Sequence, residues 1–147
     1  MVASLVRGAL SSVLVVGVAV ALGFRPRAGL VDWLLAAAVL AGFVVALSWL
    51  SAVVGLLASS AEAASGFTFF VSFLPYPSSA FVPVATLPGW LQGFAGHQPV
   101  TTTVDCLRAL LLGRPAGSLA VESLLESAAL VAVCVPLAAV LFARRTR

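Results

Sequence analysis

Long apolar runs without charge constrain this chain more than any other feature of its sequence. Arg7 and Arg25 enclose one such run, and a longer one extends from Trp33 to Ala61. A soluble domain carries about 25% charged residues, whereas this chain carries 9% and is 62% hydrophobic. So little charge cannot cover a surface that faces water. The sequence therefore predicts an all-α, polytopic helical membrane protein.

We expect about four membrane spans, because a bilayer core about 30 Å thick requires roughly 20 apolar residues in a helix. They form a single transmembrane domain, residues 1–147, with spans at about 8–24, 33–59, 64–83 and 119–143. Proline breaks helix interiors. Pro75 and Pro77 are therefore expected to kink the third span, and Pro83 to end it.

A cleaved signal peptide is the alternative for residues 1–24. The apolar core of a signal peptide is about 7–15 residues long. The run between Arg7 and Arg25 is longer and further spans follow it. The first span is therefore expected to remain in the protein.

The arginines indicate how the spans are oriented. Basic residues favour the cytoplasmic side, and the chain closes with RRTR at residues 144–147. The C-terminus is therefore expected in the cytoplasm, with residues 84–118 outside. Arg25 and Arg27 would then lie outside as well, contrary to the same rule.

Residues 84–118 are too polar and too interrupted to cross the membrane as one helix. Pro88 and Pro99 are placed to begin two short helices, since proline is tolerated in the first turn. The residues alone leave two placements open for this pair. It forms a re-entrant hairpin within the membrane, or it lies at the interface with Trp90 as a headgroup anchor.

The second short helix has a recognisable side-chain pattern. Asp105 and Arg108 are spaced to form an i, i+3 ion pair. An apolar stripe at helical spacing runs along the same helix, formed by Val100, Val104, Leu107 and Leu111.

The stretch from Ser78 to Gly113 resembles the permeases of ABC-2-type transporters, in particular their daunorubicin-resistance-like drug efflux branch. It contains the runs SSAFVP, LPGWLQ and PVT, followed by an apolar helix with an arginine. Gln98 stands where the branch usually has asparagine. The matching residues are Ser78, Ser79, Ala80, Phe81, Val82, Pro83, Pro88, Gly89, Trp90, Leu91, Gln92, Pro99, Val100, Thr101 and Arg108. The upstream run GFRPRAGLVDWLLA and the closing RRTR also fit, so the resemblance covers nearly the whole chain.

The resemblance implies an architecture for a complete transporter. Permeases of this family usually have six spans, and two of them pair with two cytoplasmic subunits that hydrolyse ATP. A re-entrant helical pair lies between the fifth and sixth spans, which favours re-entrant placement of residues 84–118. The four spans here would correspond to the third through sixth. The first two spans and the coupling helix would then be missing.

The function expected from the resemblance is that of a permease subunit, or its carboxy-terminal part, of an ATP-driven exporter. It would move hydrophobic drug-like or lipid-like substrates outward across a bacterial-type cell membrane. Its expected partners are an ABC ATP-binding subunit, a second permease copy and membrane lipid. The alternative is a truncated remnant or a small membrane scaffold without autonomous transport.

The candidate functional positions lie at the expected outer mouth of the export path. They are Pro83, Pro88, Gly89, Trp90, Pro99, Thr101 and Arg108. Glu62, in the cytoplasmic turn before the third span, is the candidate contact with the ATP-binding subunit.

No catalytic, metal or cofactor site is predicted on this chain. His97 is the single histidine, Cys106 and Cys134 lie far apart, and there is no lysine to bind nucleotide phosphates. ATP is therefore expected on the partner subunit. A net charge of +3 is too small and scattered to indicate nucleic acid.

Two further groups carry expectations. Glu122 and Glu126 share a helix face near the outer start of the last span, where water is close and the helix dipole favours anions. Pairing of either glutamate with Arg108 or Arg114 is an additional expectation to be tested.

Aromatic residues cluster on one side of the third span, where they contact lipid or neighbouring helices or, alternatively, line an apolar substrate path. They are Phe67, Phe69, Phe70 and Phe73.

Overall fold

The structure is a computed structural model, and it describes residues 2–58, 60–73, 75–81 and 83–145. Every regular element in these ranges is helical, which confirms the all-α prediction. The elements are α1 (Val2–Ala21), α2 (Leu30–Leu57), α3 (Ala61–Phe73), a 3-10 turn (Val84–Thr86), α4 (Gly89–Gly96), α5 (Pro99–Leu111) and α6 (Gly117–Arg145). Residues 59, 74 and 82 of the predicted spans, and Arg147 of the terminal RRTR, lie outside the described residues.

Two helices in the described ranges are long and apolar enough to cross a membrane: Leu30–Leu57 and Gly117–Ala143. They correspond to the second and fourth predicted spans. A shorter apolar helix covers Val6–Ala21, within the first predicted span. The count of four spans therefore remains a prediction.

The helices α2 and α6 pack against each other through small side chains. A first buried cluster is formed by Ala36 and Val39 of α2, Ala116 and Ala120 at the start of α6, and Cys106 and Leu110 of α5. A second joins Val53 to Cys134 and Ala138. Between them, a Cβ added to Gly42 would lie 3.6 Å from the Leu124 side chain. Small residues allow helix backbones to approach closely, as is typical of helix contacts in membranes.

The order of the two clusters gives the direction of the helices. The first cluster uses the beginning of both helices and the second lies further along both, so α2 and α6 run in the same direction. The end at which they begin, where α5 packs, is called here the α5 end of the bundle.

Because α2 and α6 run in the same direction, the chain must return along α2 before α6 can begin. The helix α3 contacts α2. Farther on, the Ser79 hydroxyl donates a hydrogen bond to Asp105 of α5 at 2.7 Å. Residues 60–79 therefore lead back from the far end of α2 to the α5 end, the path that the third predicted span requires.

The helix α3 is shorter than the third predicted span. It ends at Phe73, and Pro75 and Pro77 lie in the turns that follow. The expectation that these prolines kink the helix is therefore wrong, because the helix stops before reaching them. Pro83 lies farther on, where its carbonyl accepts the backbone N–H of Thr86 in the 3-10 turn at 2.9 Å.

The two predicted short helices are present. Pro88 immediately precedes α4, and Pro99 is the first residue of α5. Gly96 is the last residue of α4. Gly113 follows α5 with a φ of +66°, a conformation that favours glycine.

The turn at Gly113 also holds the loop between α1 and α2. The Arg27 backbone N–H donates to the Leu111 carbonyl at 3.1 Å. A Cβ added to Gly113 would lie only 2.9 Å from the Arg27 carbonyl oxygen. Two segments distant in sequence therefore meet at a position that only glycine fits.

We predict that Gly113→Ala lowers the free energy of unfolding by about 1–3 kcal/mol, since it adds both left-handed strain and a backbone clash. Thermal unfolding in detergent, followed by circular dichroism, measures the change. Gly117→Ala is the matched control, because a Cβ there meets nothing within 4 Å. Its effect is expected within about 0.5 kcal/mol. Equal destabilisation by both variants would contradict the contact.

Candidate functional site

Hydrogen bonds between side chains and backbone hold the turns after α3 against α5. One of the residues involved, Arg108, is a candidate functional position from the sequence analysis. The Ser79 hydroxyl donates to Asp105 Oδ1 at 2.7 Å, and Arg108 Nη1 donates to the same oxygen at 3.0 Å. Arg108 Nη2 closes the ring by donating to the Ser79 carbonyl at 2.9 Å. The predicted Asp105–Arg108 ion pair is therefore confirmed, and it forms part of a larger network.

The exposure of this hydrogen-bonded ring indicates how much it contributes to the stability of the fold. The side chains of Arg108 and Asp105 are 48% and 37% exposed. An exposed ion pair contributes at most about 1 kcal/mol. The main effect of the ring is therefore positional, since it fixes the chain at Ser79 against the outer surface of α5.

A second, buried set of contacts lies at the beginning of α5. Gln98 Nε2 donates to the Pro77 carbonyl at 2.9 Å, and the Ser79 backbone N–H donates to Thr101 Oγ1 at 3.4 Å. Thr101 in turn donates to the Ala95 carbonyl of α4 at 2.6 Å. Gln98 and Thr101 are each only 4% exposed. These bonds connect the proline-rich turns, α4 and α5 into one unit, which we call the short-helix unit (residues 75–81 and 83–111).

The buried face of α5 differs from the predicted apolar stripe. The stripe residues, among them Val104 and Leu107, are only half-buried. The buried residues of α5 are Thr101, Thr102, Thr103, Cys106 and Leu110. Hydroxyl groups require hydrogen-bond partners where water is excluded, whereas apolar side chains can face lipid. The helix therefore turns its threonines toward the bundle.

Two of these threonines bond to α6. Thr103 Oγ1 and Ser123 Oγ lie 2.9 Å apart, and both residues are buried. Thr102 Oγ1 donates to Glu126 Oε1 at 3.3 Å. The other carboxyl oxygen of Glu126, Oε2, is buried, and no hydrogen-bond partner for it exists among the described residues.

The two glutamates of α6 therefore differ in environment. Glu122 is exposed, as expected. Glu126 is half-buried against α5, where Thr102 donates to its Oε1, so it is less accessible to water than expected. The reason is that α5 packs along the same face of α6. Within the described ranges, the ion pair formed by Arg108 is with Asp105, and neither glutamate pairs with Arg108 or Arg114.

The structure separates the predicted site residues into groups. Thr101 and Arg108 both form hydrogen bonds with Ser79. Pro83, Pro88 and Gly89 belong to the same short-helix unit, and all three are exposed. Pro99 begins α5 and is half-buried.

Trp90 and Glu62 lie apart from the contacts made by Ser79. The Trp90 side chain is 81% exposed on α4. Glu62 is an exposed residue in the first turn of α3, away from the α5 end. The helix α4 is held to the preceding turn by Gln92 Nε2, which donates to the Leu87 carbonyl at 2.7 Å.

Sequence reasoning did not select Ser79, Gln98 or Ser123 as functional residues. Ser79 lies within the SSAFVP run, so a hydroxyl beside several prolines was an available signal. The partners of Gln98 and Ser123 are about 20 residues away in the chain. Contacts between such distant residues leave no periodic pattern in the sequence.

An aromatic ladder extends from α3 across the proline-rich turns. The ring centroids of Phe69 and Phe73 lie 4.7 Å apart, those of Phe73 and Tyr76 5.4 Å, and those of Tyr76 and Phe81 5.5 Å. All four side chains are exposed on the bundle surface. The predicted cluster is therefore present for Phe69 and Phe73, while the side chain of Phe70 lies outside the described ones.

Comparison with known proteins identifies the family. The sequence model of the ABC-2 type transporter family matches residues 1–112. The chain belongs to the ABC-2 type transporter family. This membership confirms the family resemblance drawn from the stretch between Ser78 and Gly113.

Curated relatives agree with the drug efflux branch. The chain is 30% identical over 137 residues to the probable doxorubicin resistance ABC transporter permease protein DrrC of Mycobacterium tuberculosis. The aligned residues cover 92% of this chain and 50% of the relative. It is 37% identical over 118 residues to the daunorubicin resistance ABC transporter permease protein DrrB1 of Streptomyces coeruleorubidus, covering 79% of this chain and 41% of that protein. The chain thus spans about half the length of the relatives it matches. No solved structure matches it significantly.

We predict that the Thr103–Ser123 contact is energetically coupled. Thr103→Val and Ser123→Ala should each lower the free energy of unfolding by about 1–3 kcal/mol, because each leaves a buried hydroxyl without its partner. The double variant should lower the free energy of unfolding by at least about 0.5 kcal/mol less than the sum of the two single variants. Chemical or thermal unfolding in detergent measures the cycle.

Thr68→Val serves as the control for this cycle, since Thr68 is exposed and its hydroxyl donates to the Ala64 carbonyl of its own helix. Its effect is expected within about 0.5 kcal/mol. Strictly additive costs for Thr103→Val and Ser123→Ala would show that the two hydroxyls do not interact.

Proposed function

We propose that this chain is the transmembrane permease component, in its carboxy-terminal part, of an ATP-driven exporter in a bacterial-type cell membrane. The single observation that supports this most strongly is the short-helix unit fastened to the beginning of two long apolar helices, in a chain of the ABC-2 type transporter family. Transport by such a component requires a path between helices, and a folded unit at one end of the bundle is suited to close or shape that path.

The proposed topology has four spans. The parallel direction of α2 and α6 supports it, because the chain between them must cross back once. In this arrangement α1 is the first span, and α3 with the following turns is the third. The C-terminus and Glu62 then lie in the cytoplasm, and residues 84–118 lie at the outer surface.

The proposed exit mouth comprises Pro83, Pro88, Gly89, Trp90, Pro99, Thr101 and Arg108. Thr101 and Arg108 would hold the short-helix unit in place through Ser79, as their hydrogen bonds indicate. Trp90, which is almost fully exposed, would anchor α4 among lipid headgroups or dip with α4 into the outer leaflet.

The proposed partners are an ATP-binding subunit, a second permease copy and membrane lipid. Glu62 is proposed to contact the ATP-binding subunit, and ATP would be bound and hydrolysed there. Hydrophobic drug-like or lipid-like molecules are the proposed substrates, in line with the names of the two relatives, which refer to doxorubicin and daunorubicin resistance.

A second candidate function follows from the length of the match, because the chain spans about half of its relatives. A small membrane scaffold or a transporter remnant would insert and fold in the same way without transporting. The two candidates differ in whether the chain supports efflux when an ATP-binding subunit is present.

The topology predicts opposite labelling of two introduced cysteines. Thr86→Cys should react with a membrane-impermeant maleimide in intact cells, and Glu62→Cys should react only after permeabilisation. Both positions are exposed, whereas the native Cys106 and Cys134 are buried and give little background. Labelling of Glu62→Cys in intact cells, or of both variants from one side, would overturn the proposed orientation.

The export function predicts that co-expression with a cognate ATP-binding subunit lowers cellular accumulation of a fluorescent anthracycline. Arg108→Gln removes the ion pair and the bond to the Ser79 carbonyl, so efflux should fall several-fold at an unchanged amount of protein in the membrane. Arg7→Gln, an exposed position on α1, is the control and should retain efflux.

The same experiment separates the two candidate functions. An affinity-tagged chain that co-purifies the ATP-binding subunit and supports efflux is a permease component. A chain that inserts stably but neither binds that subunit nor alters accumulation is a scaffold or remnant.

A further inference from the structure

Three arginines lie in two loops at the α5 end of the bundle. They belong neither to the short-helix unit nor to the proposed exit mouth. Arg25 and Arg27 belong to the loop between α1 and α2, and Arg114 follows α5. A Cβ added to Gly113 would lie 3.3 Å from the Arg27 Cβ. Arg114 is the next residue, so the backbone positions of Arg27 and Arg114 are close together, and Arg25 lies two residues before Arg27 in the same loop.

Hydrogen bonds fix the backbone at Arg27 and Arg114. Arg27 N–H donates to the Leu111 carbonyl at 3.1 Å, and Arg114 N–H donates to the Ala109 carbonyl at 2.8 Å. The end of the α1–α2 loop is capped by Asp32, whose Oδ2 accepts the Gly29 N–H at 2.8 Å. A ligand that binds here would therefore meet positions that need little further ordering.

The positive charges have no negative partner within the described residues. All three arginines are exposed. The ion pair found in the described ranges joins Arg108 to Asp105 instead. Asp32 accepts the Gly29 N–H of its own helix start. None of the three guanidinium groups is therefore held in an ion pair within the described residues.

Exposed apolar side chains flank the arginines of the α1–α2 loop in sequence. Leu22 is 85% exposed and Leu30 is 79% exposed, one on each side of the arginines in the α1–α2 loop. Trp33, one turn into α2, is also partly exposed, and tryptophan is enriched at the level of lipid headgroups. A ligand with an anionic head and an apolar tail matches both parts of this surface.

We propose that Arg25, Arg27 and Arg114 bind the phosphate headgroup of an anionic phospholipid in the leaflet at this end of the bundle. Guanidinium groups bind phosphate oxygens in bidentate fashion. The acyl chains would lie along Leu22 and Leu30. This ligand accounts for arginines that, in the proposed orientation, lie on the side that basic residues usually avoid.

The inference rests on the proposed function only in requiring membrane insertion. Native mass spectrometry of the detergent-purified chain tests it, with phosphatidylglycerol or phosphatidylcholine added at equal concentration. The unaltered protein should bind phosphatidylglycerol at least fivefold more than phosphatidylcholine. Inorganic phosphate added in excess should not displace the lipid, because it lacks the acyl chains.

The decisive variant is Arg25→Gln/Arg27→Gln/Arg114→Gln, which should lose the preference for phosphatidylglycerol. Arg7→Gln/Arg144→Gln/Arg145→Gln removes the same charge from positions away from the α5 end. This control should change the preference less than twofold. Equal loss in both triple variants, or an unaltered protein that does not prefer phosphatidylglycerol, would overturn the proposal.

Folding and insertion are checked separately. If the triple variant is unfolded by circular dichroism, Arg114→Gln alone replaces it and should lower the preference at least twofold. A chain that fails to enter the membrane fraction contradicts the proposed permease function. A chain that inserts and binds both lipids equally contradicts only the lipid site.

Discussion

The parallel contact between α2 and α6 is the constraint on which the rest of the structure depends. Small residues such as Gly42 and Ala120 allow the two backbones to approach, where bulkier side chains would separate them. Since both helices start at the same end, the intervening chain has to return there. This return brings α3, the proline-rich turns and α5 to that end, so the helix pair determines where the candidate site forms.

Hydrogen bonding explains the orientation of the short-helix unit. A helix that packs where water is scarce gains little by burying more apolar surface, because lipid is as apolar as the interior. It gains more by giving each hydroxyl a partner. Thr103 therefore faces Ser123, whereas Val104 and Leu107 of α5 are only half-buried. Ser79, in turn, keeps the preceding turns against α5.

Local features could be predicted from the sequence, and contacts between distant segments could not. Pro88 and Pro99 mark helix starts through their own backbone chemistry, and the Asp105–Arg108 pair follows from helical spacing. The early end of α3 depends on where the turns must dock on α5. The burial of Glu126 likewise depends on which face of α6 meets α5. Neither is encoded in the spacing of neighbouring residues.

The contact between Arg27 and the turn at Gly113 has a consequence for biogenesis. A membrane protein is synthesised from its N-terminus, so the loop after α1 leaves the ribosome well before α5 exists. The Leu111 carbonyl that this loop requires is made only later. The α1–α2 loop must therefore wait, incompletely ordered, until α5 has been made. This end of the bundle is then completed in one step, in which the α1–α2 loop and the turn after α5 become ordered together.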